Sequence, residues 1–174
     1  MKRLIGISAV GILAAACADM PGMMAMGPSA SAKLEATKGN STAGDVKFAT
    51  RGTKVLVTAN ISGLTPGSHG FHIHEKGDCS SGDGMSAGGH FNPLSKPHGP
   101  PTTMDRHTGD MPMLLADASG NASISTELDV MTIGSGATDI VGKAVVVHKD
   151  PDDYKTQPTG NAGARVACGV IQKS

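Results

Sequence analysis

Residues 122–128 read Ala-Ser-Ile-Ser-Thr-Glu-Leu, and this stretch indicates the fold more clearly than any other. Its even-numbered positions carry Ala, Ile, Thr and Leu, while its odd-numbered positions carry Ser and Glu. Successive side chains on a β-strand point to opposite faces, so this alternation predicts a strand with one face buried.

Weaker strand signals occur on both sides of this stretch, at residues 46–48, 55–61, 145–147 and 166–171. Turn residues such as Gly, Asn and Pro separate them, as in short antiparallel strands. The chain also contains 24 Gly and 10 Pro among its 174 residues, which opposes long helices. We therefore predict an all-β fold, an antiparallel sandwich or barrel.

The charge balance argues against a nucleic-acid partner. Fifteen Lys and Arg residues are matched by 15 Asp and Glu residues, so the chain has no basic excess. With three Phe, one Tyr and no Trp, it also lacks the aromatic side chains on which single-stranded bases stack.

The N-terminal residues 1–16 have the composition of a secretion signal. Lys2 and Arg3 precede an apolar run that is too short to span a bilayer permanently. Cys17 is either the lipidated first residue of a bacterial lipoprotein, which the short signal favours, or part of an Ala-x-Ala cleavage site. Residues 17–32 contain four Met and no periodic apolar face, so we predict a flexible linker, followed by a folded domain at 33–174.

The three cysteines predict one disulfide. Once Cys17 is lipidated or removed, Cys79 and Cys168 remain as a pair in the oxidising compartment that an exported chain reaches. Metal-binding thiols are the alternative, but the chain has no Cys-x-x-Cys spacing to support it.

Residues 75–111 and 149–164 carry almost no strand pattern, although a compact domain rarely contains such long loops without a function. His72 and His74 directly precede the first loop and lie two apart, so on a strand both imidazoles face the same way. Two such imidazoles form half of the tetragonal nitrogen site that Cu(II) prefers. His148 is expected to reach the same face, and His69 the opposite face, where it would bond to backbone.

The first long loop adds the ligands of a second predicted site. His90, His98, His107 and Asp110 together provide three imidazoles and one carboxylate, a set that suits tetrahedral Zn²⁺. Two alternatives to an enzyme remain at this point. A non-catalytic periplasmic copper-binding protein would use the same histidines and the Met-rich linker, and a zinc-only structural module would use fewer histidines.

Five motifs together resemble the copper/zinc superoxide dismutases, in particular their bacterial periplasmic type. They are Gly-Phe-His-Ile-His-Glu at 70–75, Gly-His-Phe-Asn-Pro at 89–93, His-Gly-Pro at 98–100, Arg-His-Thr-Gly-Asp at 106–110, and the segment 160–170. The resemblance implies an eight-stranded antiparallel Greek-key barrel with two long functional loops. It also implies an oxidoreductase that converts superoxide to oxygen and hydrogen peroxide.

The same resemblance implies a role for each site residue. Copper would be held by His72, His74, His90 and His148, and zinc by His90, His98, His107 and Asp110, with His90 shared. Arg165 would dock superoxide, Asp152 would join a copper histidine to a zinc histidine, and Thr159 would line the channel mouth. The expected location is the periplasm, with a lipid anchor if Cys17 is acylated, and the expected assembly is a monomer or a homodimer.

Overall fold

A computed structural model describes residues 27–174 of the chain. The predicted secretion signal at 1–16, Cys17 and the Met-rich part of the predicted linker lie outside the described residues. Residues 27–174 contain no helix with the length and apolar character to cross a membrane. Their regular structure is one 3-10 turn, Met85–Ala87, and ten strands: β1 Ser29–Ala36, β2 Ala43–Arg51, β3 Lys54–Ser62, β4 Gly67–His69, β5 Phe71–His74, β6 Leu114–Ala116, β7 Ala122–Leu128, β8 Ala144–His148, β9 Arg165–Val170 and β10 Gln172–Lys173.

The predicted strands are present, and β7 has the predicted burial pattern. Ala122 and Leu128 are buried, whereas the Ser and Glu side chains between them are exposed. The linker boundary was wrong, because β1 begins at Ser29, within the segment predicted as linker up to residue 32. Ala30 and Ala32 are the buried positions in this first part of β1, and alternation of Ala with Ser gives too little hydrophobic contrast to be recognised. The three-residue strands β4 and β6 were also missed, since they are too short to show a period.

Eight strands form one antiparallel sheet in the order β5-β8-β9-β1-β2-β3-β7, with β10 also paired to β1. The strand β1 changes partners along its length: Ser29–Leu34 pair with β2, and Glu35 and Ala36 pair with β9. The sheet curls there, so that side chains from both halves share one core. The neighbours β3-β7 and β5-β8 are far apart in sequence, as in a Greek key, which confirms the predicted barrel.

The valines of β8 do not alternate with polar residues because both faces of this strand are buried. Val145 and Val147 pack in the main core, while Val146 packs on the outer face against Ala87 and Cys168. The first long loop therefore covers the outside of this strand, and both faces of β8 are buried. The outer face of β5 and β8 is where the loops meet the barrel.

Candidate metal centre

The two histidines of β5 point away from the barrel core. Phe71 and Ile73 pack inside the core, so the alternation of the strand places His72 and His74 on the outer face. At the end of the neighbouring β8, His148 joins them: its Nε2 lies 3.3 Å from His74 Nε2. The outer face of these two strands therefore carries three buried imidazoles.

Two segments of the first long loop lie directly against β5. The Phe91 N–H donates to the Ile73 carbonyl at 2.8 Å, and the Ile73 N–H donates to the Gly109 carbonyl at 2.9 Å. A side chain at Gly109 would collide with the Ile73 carbonyl oxygen, so the close approach requires glycine. These contacts bring His90 and Asp110 to the outer face of β5.

Asp110 is the centre of a second group of imidazoles. Its Oδ1 lies 2.9 Å from His90 Nδ1, 3.0 Å from His98 Nδ1 and 3.3 Å from His107 Nδ1. Its Oδ2 accepts hydrogen bonds from the backbone N–H groups of Gly99 and His107, both at 3.1 Å. The carboxylate thus fixes the loop backbone as well as facing three histidine rings.

Seven residues form two sets of four potential metal ligands. The members of each set offer ligand atoms within 4.8 Å of one another, and all are buried. We call the first the four-histidine group and the second the Asp110 group; they are His72, His74, His90 and His148, and His90, His98, His107 and Asp110. Only His90 belongs to both of these sets.

The donor atoms fit metal ions. Three buried ring nitrogens, His72 Nδ1, His90 Nε2 and His98 Nδ1, have no hydrogen-bond partner, and such an atom costs about 1–3 kcal/mol when left unpaired. His98 Nδ1 lies close to Asp110 Oδ1 but does not form a hydrogen bond with it. His90 Nδ1 and His107 Nδ1 lie 3.3 Å apart, and two nitrogens at tetrahedral corners, with Zn–N bonds of about 2.0–2.1 Å, would be separated by roughly that distance.

Burial keeps three members of the four-histidine group in the form that binds metal. Burial, followed by the neighbouring histidines, lowers the pKa of His74 well below its usual value and that of His148 to about 3. Burial also lowers the pKa of His90 to about 4, although the hydrogen bond with Asp110 opposes this. These imidazoles are therefore neutral near pH 7, and a neutral imidazole is the ligand that metal ions require.

The Asp110 group carries a negative charge at its centre. Burial opposes ionisation of Asp110, but the interactions with the His107, His90 and His98 rings outweigh it and hold the pKa of this carboxyl far below its usual range. Burial would lower the pKa of His98, yet the adjacent Asp110 carboxylate and the hydrogen bond with Asp152 raise it to about 9. A divalent cation in this group would be neutralised in part by the Asp110 carboxylate.

Asp152, in the second long loop, bonds to one histidine of each group. Its Oδ2 lies 2.6 Å from His72 Nε2, and its Oδ1 lies 2.9 Å from His98 Nε2. Burial opposes its charge, but these hydrogen bonds hold the pKa of Asp152 below its usual range. The carboxylate thus orients both rings so that their unpartnered Nδ1 atoms face the two groups. Gly160, with φ of 67°, leaves the space that Asp152 and His98 occupy.

Arg165 lies beside the four-histidine group. Its guanidinium donates to the carbonyls of Gly84 and Gly88, both at 2.6 Å. His74 Nδ1 lies 2.9 Å from the same Gly88 oxygen. Burial lowers the pKa of Arg165, but a guanidinium stays charged at any physiological pH. The site therefore has a fixed positive charge held by the first long loop.

The predicted disulfide is confirmed. Cys79 and Cys168 are bonded, with Cα atoms 5.8 Å apart. Cys79 belongs to the loop that provides the two carbonyls for Arg165, and Cys168 lies in β9, the strand that begins at Arg165. The bond therefore ties the loop to the strand that carries the guanidinium.

His69 lies outside both groups and bonds to backbone, as expected. Its Nδ1 lies 2.9 Å from the His148 carbonyl oxygen, and its Nε2 lies 2.8 Å from the Thr65 carbonyl oxygen. His69 thereby supports the backbone of one member of the four-histidine group and belongs to neither set of potential ligands.

The comparisons with known proteins identify the family of the chain. The family profile described as copper/zinc superoxide dismutase (SODC) matches residues 42–171. The chain belongs to the copper/zinc superoxide dismutase family. As a superoxide dismutase it is an oxidoreductase that binds copper and zinc.

Similar superoxide dismutases occur in plants and in a nematode. Copper-zinc superoxide dismutase 3 of Arabidopsis thaliana is 50% identical over 66% of this chain and 73% of its own length. The extracellular copper-zinc superoxide dismutase of Haemonchus contortus is 42% identical over 79% of each chain. A crystal structure of the clock protein EA4 has a TM-score of 0.76 and 43% identity, covering 83% of this chain and 93% of its own.

Sequence reasoning missed two residues near the Asp110 group. The Tyr154 ring stacks on His98 with centroids 6.4 Å apart, and the Gln157 side chain bonds to the His98 backbone. Neither residue lies at a spacing typical of metal ligands or in a periodic apolar pattern, because each contacts a residue that is distant in the sequence. Thr159, predicted at the channel mouth, is half-buried in the same loop.

Proposed function

We propose that this superoxide dismutase holds copper with the four-histidine group and zinc with the Asp110 group, and that His90 bridges the two metals. The observation that carries the proposal is the position of His90, whose Nε2 is buried and unpartnered while its Nδ1 faces Asp110. Copper, when bound, alternates between Cu(II) and Cu(I) and so supplies the electron transfer that converts two superoxide radicals to oxygen and hydrogen peroxide.

The reaction consumes two protons, and His90 is suited to supply one of them, while the other comes from solvent. Its Nε2 can hold a proton at the edge of the four-histidine group and give it to the reduced substrate, because no protein group competes for that atom. Its Nδ1 side is meanwhile anchored by the Asp110 group, so the ring keeps its place as the proton moves.

Arg165 is suited to dock the superoxide anion. Because the whole sequence has a formal net charge of zero, attraction of an anion must come from a local field, an effect for which superoxide dismutases are a known example. The guanidinium is fixed by two carbonyls before the anion arrives, so little reorganisation is needed when the anion binds.

The full-length chain loaded with copper and zinc provides the direct test of this function. We expect it to consume superoxide rapidly and to form hydrogen peroxide and oxygen. A fully loaded protein that leaves superoxide unchanged would contradict the enzyme and favour the non-catalytic copper-binding alternative.

Replacing Arg165 with Ala is expected to slow superoxide consumption roughly tenfold at low ionic strength, since the local positive field is lost. The difference should shrink as salt screens the charge, while both metals stay bound. Lys173→Ala is the matched control, because it removes one exposed cation from the distant β10. Equal rates for the two variants, measured by pulse radiolysis, would contradict the docking role.

We propose that the chain is exported, as in the bacterial periplasmic type, and anchored through a lipid on Cys17. The Cys79–Cys168 disulfide supports an oxidising compartment, and one relative is named as an extracellular enzyme.

The anchor predicts that cells expressing the chain incorporate radiolabelled palmitate into it, and that Cys17→Ser abolishes this labelling. Cys79→Ser serves as the control and should keep the label. Labelling that persists without Cys17 would contradict the anchor, as would a wild-type chain that takes up none.

A further inference from the structure

Gln157 holds the backbone of His98 with both ends of its amide. The His98 N–H donates to Gln157 Oε1 at 2.8 Å, and Gln157 Nε2 donates to the His98 carbonyl at 2.8 Å. The amide therefore pairs with both the N–H and the carbonyl of His98, as a residue of a neighbouring β-strand would. No other group among residues 27–174 bonds to the His98 backbone.

The same loop also fixes the ring of His98. Asp152 Oδ1 lies 2.9 Å from its Nε2, and the Tyr154 ring stacks over it at an interplanar angle of 22°. The Tyr154 N–H donates to Asp152 Oδ1 at 2.7 Å, and its hydroxyl accepts the Met113 N–H at 3.0 Å. Backbone, ring edge and ring face of His98 are thus all held by residues 152–157.

His98 needs this support because its own loop provides little. It lies in the first long loop, where the described residues form no strand between β5 and β6, and its sequence separation from Gln157 is 59. Its Nδ1 is nevertheless buried, unpartnered and aimed into the Asp110 group. The two hydrogen bonds to Gln157 fix the backbone from which this imidazole projects, so they limit how far Nδ1 can move from that direction.

We propose that Gln157 is a positioning residue for zinc: it acts through His98, keeps Nδ1 directed into the Asp110 group and slows the release of zinc. This inference rests on the proposed function only in taking the Asp110 group as the zinc site. Gln157 itself offers no ligand to the metal, so its effect should appear in zinc retention and in the geometry of the site.

Gln157→Met tests this in the full-length chain loaded with copper and zinc, because Met matches the length of Gln but makes neither hydrogen bond. Loss of a residue that orients a metal ligand typically costs 10–100-fold in metal affinity, so we expect zinc transfer to a chromophoric chelator to become roughly tenfold faster. Gln172→Met, at an exposed glutamine in β10, is the matched control and should release zinc as the wild type does.

Two further measurements separate positioning from general stability. Cobalt bound in place of zinc should show an altered visible spectrum in Gln157→Met and an unchanged one in Gln172→Met. The unfolding temperature of the metal-free protein should be the same in both variants. Gln157→Asn keeps an amide that is too short to span both backbone groups, and it should release zinc at an intermediate rate.

The possible outcomes distinguish this inference from the proposed function. If the wild-type chain retains zinc but Gln157→Met releases it at an unchanged rate, only the role of Gln157 is overturned. A wild-type rate of zinc release in Gln157→Asn has the same consequence. A metal-free Gln157→Met protein that loses as much thermal stability as the loaded one also overturns it. A wild-type chain that binds no zinc overturns the proposed zinc site, and the inference with it.

Discussion

His90→Ala is expected to lower superoxide consumption by at least about a hundredfold, since even residues that only orient a ligand cost 10–100-fold when lost. The reason is that His90 is the one described residue that belongs to both ligand sets. Its removal takes a nitrogen from each set and leaves Asp110 with one fewer hydrogen-bond partner. Both metals should therefore be retained poorly after dialysis, as measured by mass spectrometry of the bound metals.

Two other histidine variants, each affecting only one group, show whether the loss of both metals is specific to His90. His148 belongs only to the four-histidine group, so His148→Ala should lose copper while keeping zinc. His107 belongs only to the Asp110 group, so His107→Ala should show the reverse pattern. If His90→Ala keeps either metal as firmly as the wild type, the bridge is wrong.

Cys79→Ser is expected to lower the free energy of unfolding by about 2–5 kcal/mol, because the disulfide restricts the unfolded chain. The bond joins residues 89 apart in sequence, so many unfolded conformations become accessible without it. For a domain of this size we expect the unfolding temperature to fall by about 10 °C, as measured by calorimetry. Activity should fall as well, since the loop that holds Arg165 would be released from β9.

The partner cysteine provides the control for this stability effect. Cys168→Ser should cost as much as Cys79→Ser, and the double variant should lose little more than either single one, because all three lack the same bond. Unfolding temperatures within about 2 °C of the wild type would show that the bond contributes little to stability.

Some strands have strong local signals in the sequence, and others have weak ones. The alternation in β7 and the His-x-His pair of β5 were predicted well, because side-chain direction on a strand follows directly from position in the sequence. The start of β1 was placed too late, since Ala and Ser differ little in hydrophobicity. The strands β4 and β6 were missed because three residues cannot show a period.

The second long loop shows most clearly which contacts cannot be predicted from the sequence. Its composition predicted a functional loop, and the family resemblance pointed to Asp152 and Arg165. Nothing local marked Gln157 or Tyr154, because their partner His98 is brought to them by the folding of a separate loop. A side-chain amide that bonds to a backbone can recognise any residue type, so no sequence pattern identifies its partner.

Local alternation and residue type are enough to predict the all-β class, the pairing of the cysteines and the chemistry of the ligands. The family resemblance implied which histidines meet and that His90 is shared, and the folded structure adds how Asp152, Arg165 and Gln157 are anchored. Those features arise where two long loops fold against the outer face of β5 and β8. They depend on contacts between residues far apart in the chain, which local sequence patterns do not encode.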